Sequence, residues 1–173
     1  MKALKFLFLT FLLTSCGAVV HYDYEKSTDF NHYKSYNYFG DMKTGLSQLD
    51  TKRLIRVMDA KLESMGLTRS EHPDFFIDIF SQDIQNRTNS NVGIGVGGSG
   101  RNVGGGLSVG LPIDGQKNTR ELTIEFVDDT KTGMFWQAIS ESNYSDNDTP
   151  KKREERFHSL VEKMFSSYPP TSE

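Results

Sequence analysis

The sequence predicts an α+β domain: an antiparallel sheet of five to seven strands with two amphipathic helices packed on one face. Three observations carry this expectation. Segments with apolar and polar residues in alternation recur along the chain, the signature of half-buried strands. Two other segments repeat their apolar residues at helical spacing. The chain of 173 residues has room for one domain, and no linker or solenoid-length repeat divides it.

Val20, Tyr22 and Tyr24 alternate with His21, Asp23 and Glu25, which reads as a first strand. Asp29 to Tyr33 breaks the alternation, and Tyr36 to Phe39 reads as a second short strand ending at Gly40. A helix follows, with Leu54, Ile55, Met58, Leu62 and Met65 on one face and Lys52, Arg53, Arg56 and Lys61 flanking or opposing them. Ser47 with Asp50 makes an approximate capping box at its start, and Gly66 suits the position just past its end.

Pro73-Asp74 opens a strand from Phe75 to Ile84. Phe75, Ile77 and Ile79 point one way and Phe76, Asp78 and Phe80 the other, so apolar residues on both sides predict a central strand. From Thr119 to Asp128, Leu122, Ile124 and Phe126 oppose Glu121, Thr123 and Glu125. The polar run from Asp128 to Gly133 then reads as a turn, with Met134 to Ser140 returning as the hairpin partner. In the final helix Thr149 is the cap and Pro150 the first residue; Phe157, Leu160, Val161, Met164 and Phe165 share a face, and Pro169-Pro170 stops the chain's helical course. A domain of this size buries roughly two-thirds of its extended-chain surface and needs no staple.

Ahead of this domain, Lys2 and Lys5 followed by the apolar run Phe6 to Leu13 read as a secretory leader, too short to span a bilayer as a mature helix. The residues Leu13-Thr14-Ser15-Cys16 resemble the bacterial lipobox. The resemblance implies that residues 1–15 are a cleaved lipoprotein signal peptide, that Cys16 becomes the lipidated N-terminus, and that residues 16–19 form a short tether to a domain over 20–170. Each buried CH₂ of an acyl chain contributes about 0.8 kcal/mol, so two or more chains hold a protein on a membrane without a spanning helix. Gly17 is not the Asp that retains enterobacterial lipoproteins in the inner membrane, and no acidic cluster follows Cys16. The expectation is an outer-membrane protein whose domain faces the periplasm.

Composition narrows the function classes. With Lys2 and Lys5 removed, 18 basic residues stand against 23 acidic ones, a balance unsuited to nucleic-acid binding through bulk charge. A single Cys excludes a disulfide scaffold and a multi-cysteine zinc site. His21, His32, His72 and His158 are scattered, as ordinary surface histidines are. Asp128 and Asp129 diverge as neighbours in a turn and read as turn formers. Asp78, Glu121 and Glu125 line a solvent face without a nucleophile and base beside them. No G-x-S-x-G or H-E-x-x-H pattern is present.

Tyr22, Tyr24, Tyr33, Tyr36, Tyr38 and Trp136 are candidates to stack on sugar rings, although tyrosine is also a good strand residue and a hairpin Trp serves cross-strand packing. Lys151 to Arg156 has Glu interleaved with its bases and reads as a solvated helix face rather than a lipid contact.

Residues 90–115 are glycine-rich. Val92, Ile94 and Val96 alternate with Gly93, Gly95 and Gly97, and after a break near Arg101 Val103, Leu107, Val109 and Leu111 alternate mainly with Gly and Ser. Three readings stand side by side: a loop of biased composition, a hairpin extending the sheet, or a bare-backbone surface where a partner strand docks. For the last, Gly93, Gly95, Gly97, Arg101, Gly104 and Gly106 are the candidate contacts. Gly93-x-Gly95-x-x-Gly98 spells a dinucleotide fingerprint, but no helix start and no acidic residue about 20 positions on support it.

In order along the chain stand Asp23-Tyr24-Glu25, Asp29-Phe30, Tyr33-Lys34-Ser35-Tyr36, the Arg56/Asp59/Leu62/Gly66 helix pattern and Pro73-Asp74-Phe75. The glycine-rich middle, Leu122-Thr123-Ile124, Asp128, Lys131-Thr132-Gly133, Phe135-Trp136-Gln137-Ala138 and Pro169-Pro170 complete the series. Over about residues 20–170 the chain resembles the bacterial lipoprotein family that carries the domain of unknown function 4136. The resemblance implies a cell-envelope location and brings no activity or catalytic residue. The expectation is therefore a lipid-anchored envelope protein that is not an enzyme, needs no cofactor or metal, and binds an envelope protein or a glycan. The alternative is a structural component that self-associates through the glycine-rich hairpin; a hydrolase using Glu121 and Glu125 is the third reading.

Overall fold

The computed structural model describes residues 18–84, 118–131 and 133–170. In chain order the elements are β1 (Val19–Tyr24), a 3-10 turn (Phe30–His32), β2 (Ser35–Tyr38), α1 (Gln48–Ser64), β3 (Thr68–Arg69), β4 (Phe75–Ile84), β5 (Asn118–Asp128), β6 (Gly133–Tyr144) and α2 (Pro150–Met164). The strands form one sheet in the order β1-β6-β5-β4-β2-β3, and the α+β class with two helices is as expected.

The sheet is mixed rather than wholly antiparallel. β1/β6, β6/β5 and β5/β4 pair antiparallel, while β2 runs parallel to both β3 and β4. The reason is α1. A tight turn reverses the chain, whereas a helix laid across the sheet brings it back in the same direction, so the strands joined through α1 run parallel. The hairpin partner β6 also runs longer than expected, to Tyr144.

Both helices start at the residues that sequence predicts. The Ser47 hydroxyl accepts the Asp50 N–H at 3.2 Å and Thr149 accepts the Lys152 N–H at 3.3 Å, each satisfying a donor without an intrahelical partner. Leu54, Met58 and Leu62 are fully buried on α1, with Val57 beside them, whereas Ile55 and Met65 are only half-buried. On α2 the buried face is Phe157, Leu160, Val161 and Met164.

The core is an aromatic layer under these helices. At the β5/β6 pairing one extra residue is accommodated: Phe126 faces Trp136 and Val127 faces Met134, which leaves Phe135 unpaired in a bulge. Alternation would send Phe135 and Trp136 to opposite sides, yet both are buried. Tyr33 stacks on Phe135 at 4.2 Å, and Phe165 stacks on Trp136 at 5.3 Å. The opposite face of the sheet carries no helix among the described residues. β4 does lie in the interior of the sheet, but its far-side Phe76 stacks on Phe39 at 5.0 Å and Phe80 stays 39% exposed.

Carboxylates fasten the layers together. Asp50, 2% exposed, accepts Arg53 and Arg153 at 2.8 Å each and joins the starts of the two helices. One oxygen of Asp59 on α1 accepts the hydroxyls of Tyr36 and Tyr38 at 2.9 Å each. Asp74 accepts both the Lys34 and Ser35 N–H groups at 2.8 Å, and Asp83 takes Arg120 through both oxygens at 2.6 and 3.2 Å. Asp128 accepts the Tyr33 hydroxyl at 3.0 Å and the Thr130 N–H at 2.8 Å.

These bonds shift titration. The Lys34 amide holds Asp74 below the usual carboxylate value, and the Arg120 guanidinium does the same for Asp83. Burial pushes Asp50 and Asp128 up, but their hydrogen-bond partners outweigh it and leave both lowered. Burial, then the Asp128 carboxylate, pushes the Tyr33 phenol up to about 12.

Two expected outcomes follow from this framework. The lowered carboxylates add stability that is full above about pH 4 and is lost as pH falls through their folded values; the raised phenol adds stability that is full below about pH 10 and is lost as pH climbs toward its folded value. Melting followed by circular dichroism is expected to give a midpoint flat between these limits and falling on both sides. Gly45 has φ +71°, and a Cβ there would sit 2.5 Å from the Ser81 carbonyl oxygen, while Gly66 has φ +85° with open space around it. Gly66→Ala is expected to cost about 1 kcal/mol in urea denaturation and Gly45→Ala more than about 2 kcal/mol, because only the second adds a backbone clash to the strain.

Candidate ligand-binding cleft

Among the described residues β1 sits at one end of the sheet, paired with β6, and turns Val20, Tyr22 and Tyr24 toward the helix side. Register places Tyr24 opposite Trp136. The Tyr22 hydroxyl donates to the Lys163 carbonyl in the last turn of α2 at 2.6 Å, and the Ser166 hydroxyl donates to the same oxygen at 2.8 Å. Two hydroxyls thus join the Ser166 N–H, 3.3 Å away, on this carbonyl at the helix end, and they fix how the chain leaves α2.

The chain then turns back, with the Tyr168 N–H donating to the Phe165 carbonyl at 3.2 Å. The Tyr168 ring lands edge-on against Phe30, Phe126 and Trp136, at 5.7, 5.3 and 5.2 Å. Between this exit segment and β1 lies an open cleft of about 480 Å³. Tyr22, Tyr24 and the edge of Trp136 line one side; Ser166 to Pro170 line the other. A second hollow of about 330 Å³ lies across the Tyr168-Pro169 ridge, among Phe30, Tyr33, Met65 and Leu67.

Among the described residues, the cleft presents aromatic rings and hydroxyls without an Asp, Glu, Lys, Arg or His side chain in its lining. Tyr22, Tyr24 and Tyr168 are half-buried, so their rings are fixed by packing yet reachable. Burial pushes the Tyr168 phenol well above its ordinary value. The size falls within the range of small-molecule sites.

Of the six aromatic candidates, the structure brings Tyr22, Tyr24 and Trp136 together and removes Tyr33, Tyr36 and Tyr38 to the core. Those three are buried because their hydroxyls reach Asp128 and Asp59, so their rings are spent on packing. Trp136 is 1% exposed and offers only an edge. Asp78, Glu121 and Glu125 lie on the helix-free face, where Asp78 stands opposite Glu125 in the register and Glu121 opposite Glu141. Gln137 donates to Glu125 at 2.8 Å and Gln82 to Glu121 at 2.7 Å.

Asp128 is a buried turn residue, Asp129 is exposed, and all four histidines are exposed. Among the described residues, no group of three His, Cys, Asp or Glu side chains is arranged to hold a metal. Within the basic run, Arg153 and Arg156 pair with Asp50 and Asp148, and Lys151 lies 3.8 Å from Glu155. Cys16 and the six glycine-rich candidates, Gly93, Gly95, Gly97, Arg101, Gly104 and Gly106, lie outside the described residues. The sequence reading missed Ser166, Ser167 and Tyr168, whose one signal was the Pro169-Pro170 that reads as a helix stop.

Solved structures share this fold at low identity. A PDZ domain protein from Parabacteroides distasonis superposes with a TM-score of 0.57 at 14% identity, over 98% of this chain and 40% of that one. The chain therefore spans well under half the length of that protein. The PelC dodecamer from Paraburkholderia phytofirmans gives a TM-score of 0.50 at 11% identity, over 87% of this chain and 96% of that one. At such identities the likeness is one of fold. No curated protein matches the chain. The model of the family described as a domain of unknown function, DUF4136, matches residues 20–170, the span of the whole sheet and both helices, and this chain belongs to that family.

Proposed function

We propose that this is a lipid-anchored protein of the cell envelope, held at the outer membrane through Cys16 with its domain facing the periplasm. In this reading it works by binding an envelope protein or glycan and not by catalysis. The observation that carries the binding role is the cleft between β1 and the end of α2, where packed aromatic rings and hydroxyls converge. The aspartates support the same reading, because each is committed to a structural bond: buried Asp50 joins the two helices, half-buried Asp59 joins α1 to β2, and buried Asp128 holds Tyr33 at the end of β5. Cys16 stands three positions ahead of Val19, so the lipid would lie within about 10 Å of chain from the sheet.

A second reading is self-association. β1 ends the sheet with one side unpaired among the described residues, and a strand from another copy fits such an edge. The PelC structure of similar fold is a dodecamer, which motivates the test although the identity is low.

Feeding cells an alkyne-bearing palmitate is expected to label the wild-type chain in the outer-membrane fraction, and Cys16→Ala is expected to lose both the label and the membrane. Unlabelled protein in the soluble fraction would dispose of the anchor. Sedimentation of the detergent-solubilised protein separates the two readings: a monomer at the highest concentrations removes self-association.

A further inference from the structure

We infer that β1 pairs antiparallel with the β1 of a second copy about a two-fold axis at Tyr22, so that His21 of each chain faces the partner's Asp23. The inference rests on the self-association reading above and gives it a register and the residues that select it.

The hydrogen-bond phase of β1 turns alternate residues away from β6. The Glu25 N–H donates to the Phe135 carbonyl at 3.0 Å, which continues the β1/β6 register by one step. In an antiparallel ladder the residues that share this phase, Val19, His21 and Asp23, spend both backbone groups on β6, and the residues between them turn theirs outward. Val20, Tyr22 and Tyr24 are therefore the outward set, and among the described residues no other strand pairs on that side. The outward Tyr24 N–H donates to its neighbour's side chain, Asp23 Oδ1, at 2.9 Å.

Backbone groups alone would accept any strand, and the side chains narrow the choice. On the helix side the Tyr22 hydroxyl is bound to the Lys163 carbonyl and the Tyr24 ring packs edge-on against Phe30, so both rings are held by their own domain. Register is then set on the helix-free side, where His21 and Asp23 are exposed. With Tyr22 opposite the partner's Tyr22, Val20 lies opposite the partner's Tyr24 and His21 opposite the partner's Asp23. Symmetry makes the His–Asp contact twice, at the positions between hydrogen-bonded pairs where side chains approach most closely. Sliding by two residues is the smallest step that keeps the faces matched. It sets His21 against the partner's His21 in one direction and Asp23 against the partner's Asp23 in the other, so each alternative puts like groups on the axis.

The same carboxylate makes the edge selective. Asp23 covers the Tyr24 N–H and places a charge beside it, which discourages an uncharged strand. A second copy brings His21 to that charge. Asp23 then passes from the Tyr24 N–H to an imidazole, and the freed N–H donates to the partner's Val20 carbonyl.

The test is sedimentation equilibrium of the full chain in detergent, from about 1 μM to about 1 mM and at about pH 6, where imidazole carries part of its charge. A concentration-dependent dimer is expected. Asp23→His sets His against His at both contacts and is expected to weaken the dimer about tenfold; His21→Asp combined with Asp23→His exchanges the two sides and is expected to restore it. Val20→Pro removes an outward N–H and leaves those that bond β6, as an edge strand allows, and is expected to give a monomer that still melts cooperatively.

An assembly whose mass is unchanged in Val20→Pro, or whose affinity ignores the charge variants, overturns the β1 pairing while self-association stands. A monomer throughout, whether the chain's own residues or another protein's strand takes the edge, removes both. Should Val20→Pro lose its cooperative melt, the charge variants at the two exposed positions decide alone.

Discussion

Much of this molecule depends on the extra residue at the β5/β6 bulge. Without it, Phe135 and Trp136 would alternate across the sheet, and one large ring would be left in water on the helix-free face. With it, both rings turn to the helix side and join Phe75 and Phe126 in a continuous aromatic layer. Tyr33 can then stack flat on Phe135, and Phe165 on Trp136. The rings also make a seat for Tyr168, and the seat directs the chain after α2 back across the sheet end to make the second side of the cleft. A local irregularity in one strand pair thus shapes a surface beyond the last helix.

The polar framework complements that apolar one. Tyr36 and Tyr38 are buried as hydrocarbon but reach Asp59 with their hydroxyls, so α1 is pinned over β2 by the residues it covers. Asp50 performs the same service between the helix starts, where two arginines compensate its removal from water. Bonds of this kind confer position more than net stability. Truncating one partner leaves a buried group unmet, which makes the arrangement specific.

How much of this was legible in the sequence divides by range. The helix caps at Ser47 and Thr149, the buried stripe of α2 and the inward sides of β4 and β5 all follow from residues a few positions apart. The parallel course of β2 needed knowledge of which strand α1 returns to, and a short apolar run does not encode its neighbour. The bulge was invisible because a doubled aromatic, Phe135-Trp136, reads equally well as ordinary alternation with a large residue on the solvent side. The tyrosines show the same limit. Tyr22 and Tyr36 are alike in local pattern, and only the position of Asp59 on a distant helix turns one into core while the other lines the cleft.

The placement of β1 has a mechanical side. Among the described residues it is the first strand and an end strand of the sheet, so tension on the residues ahead of Val19 is carried into the domain through its pairing with β6. A pull along the strand loads that whole row of hydrogen bonds in shear, whereas a pull across it peels them singly from the Val19–Glu141 end. Peeling as far as Tyr22 would break its bond to Lys163 and take away one wall of the cleft. Any load on the residues ahead of Val19 therefore passes through the six residues that supply one wall of the cleft.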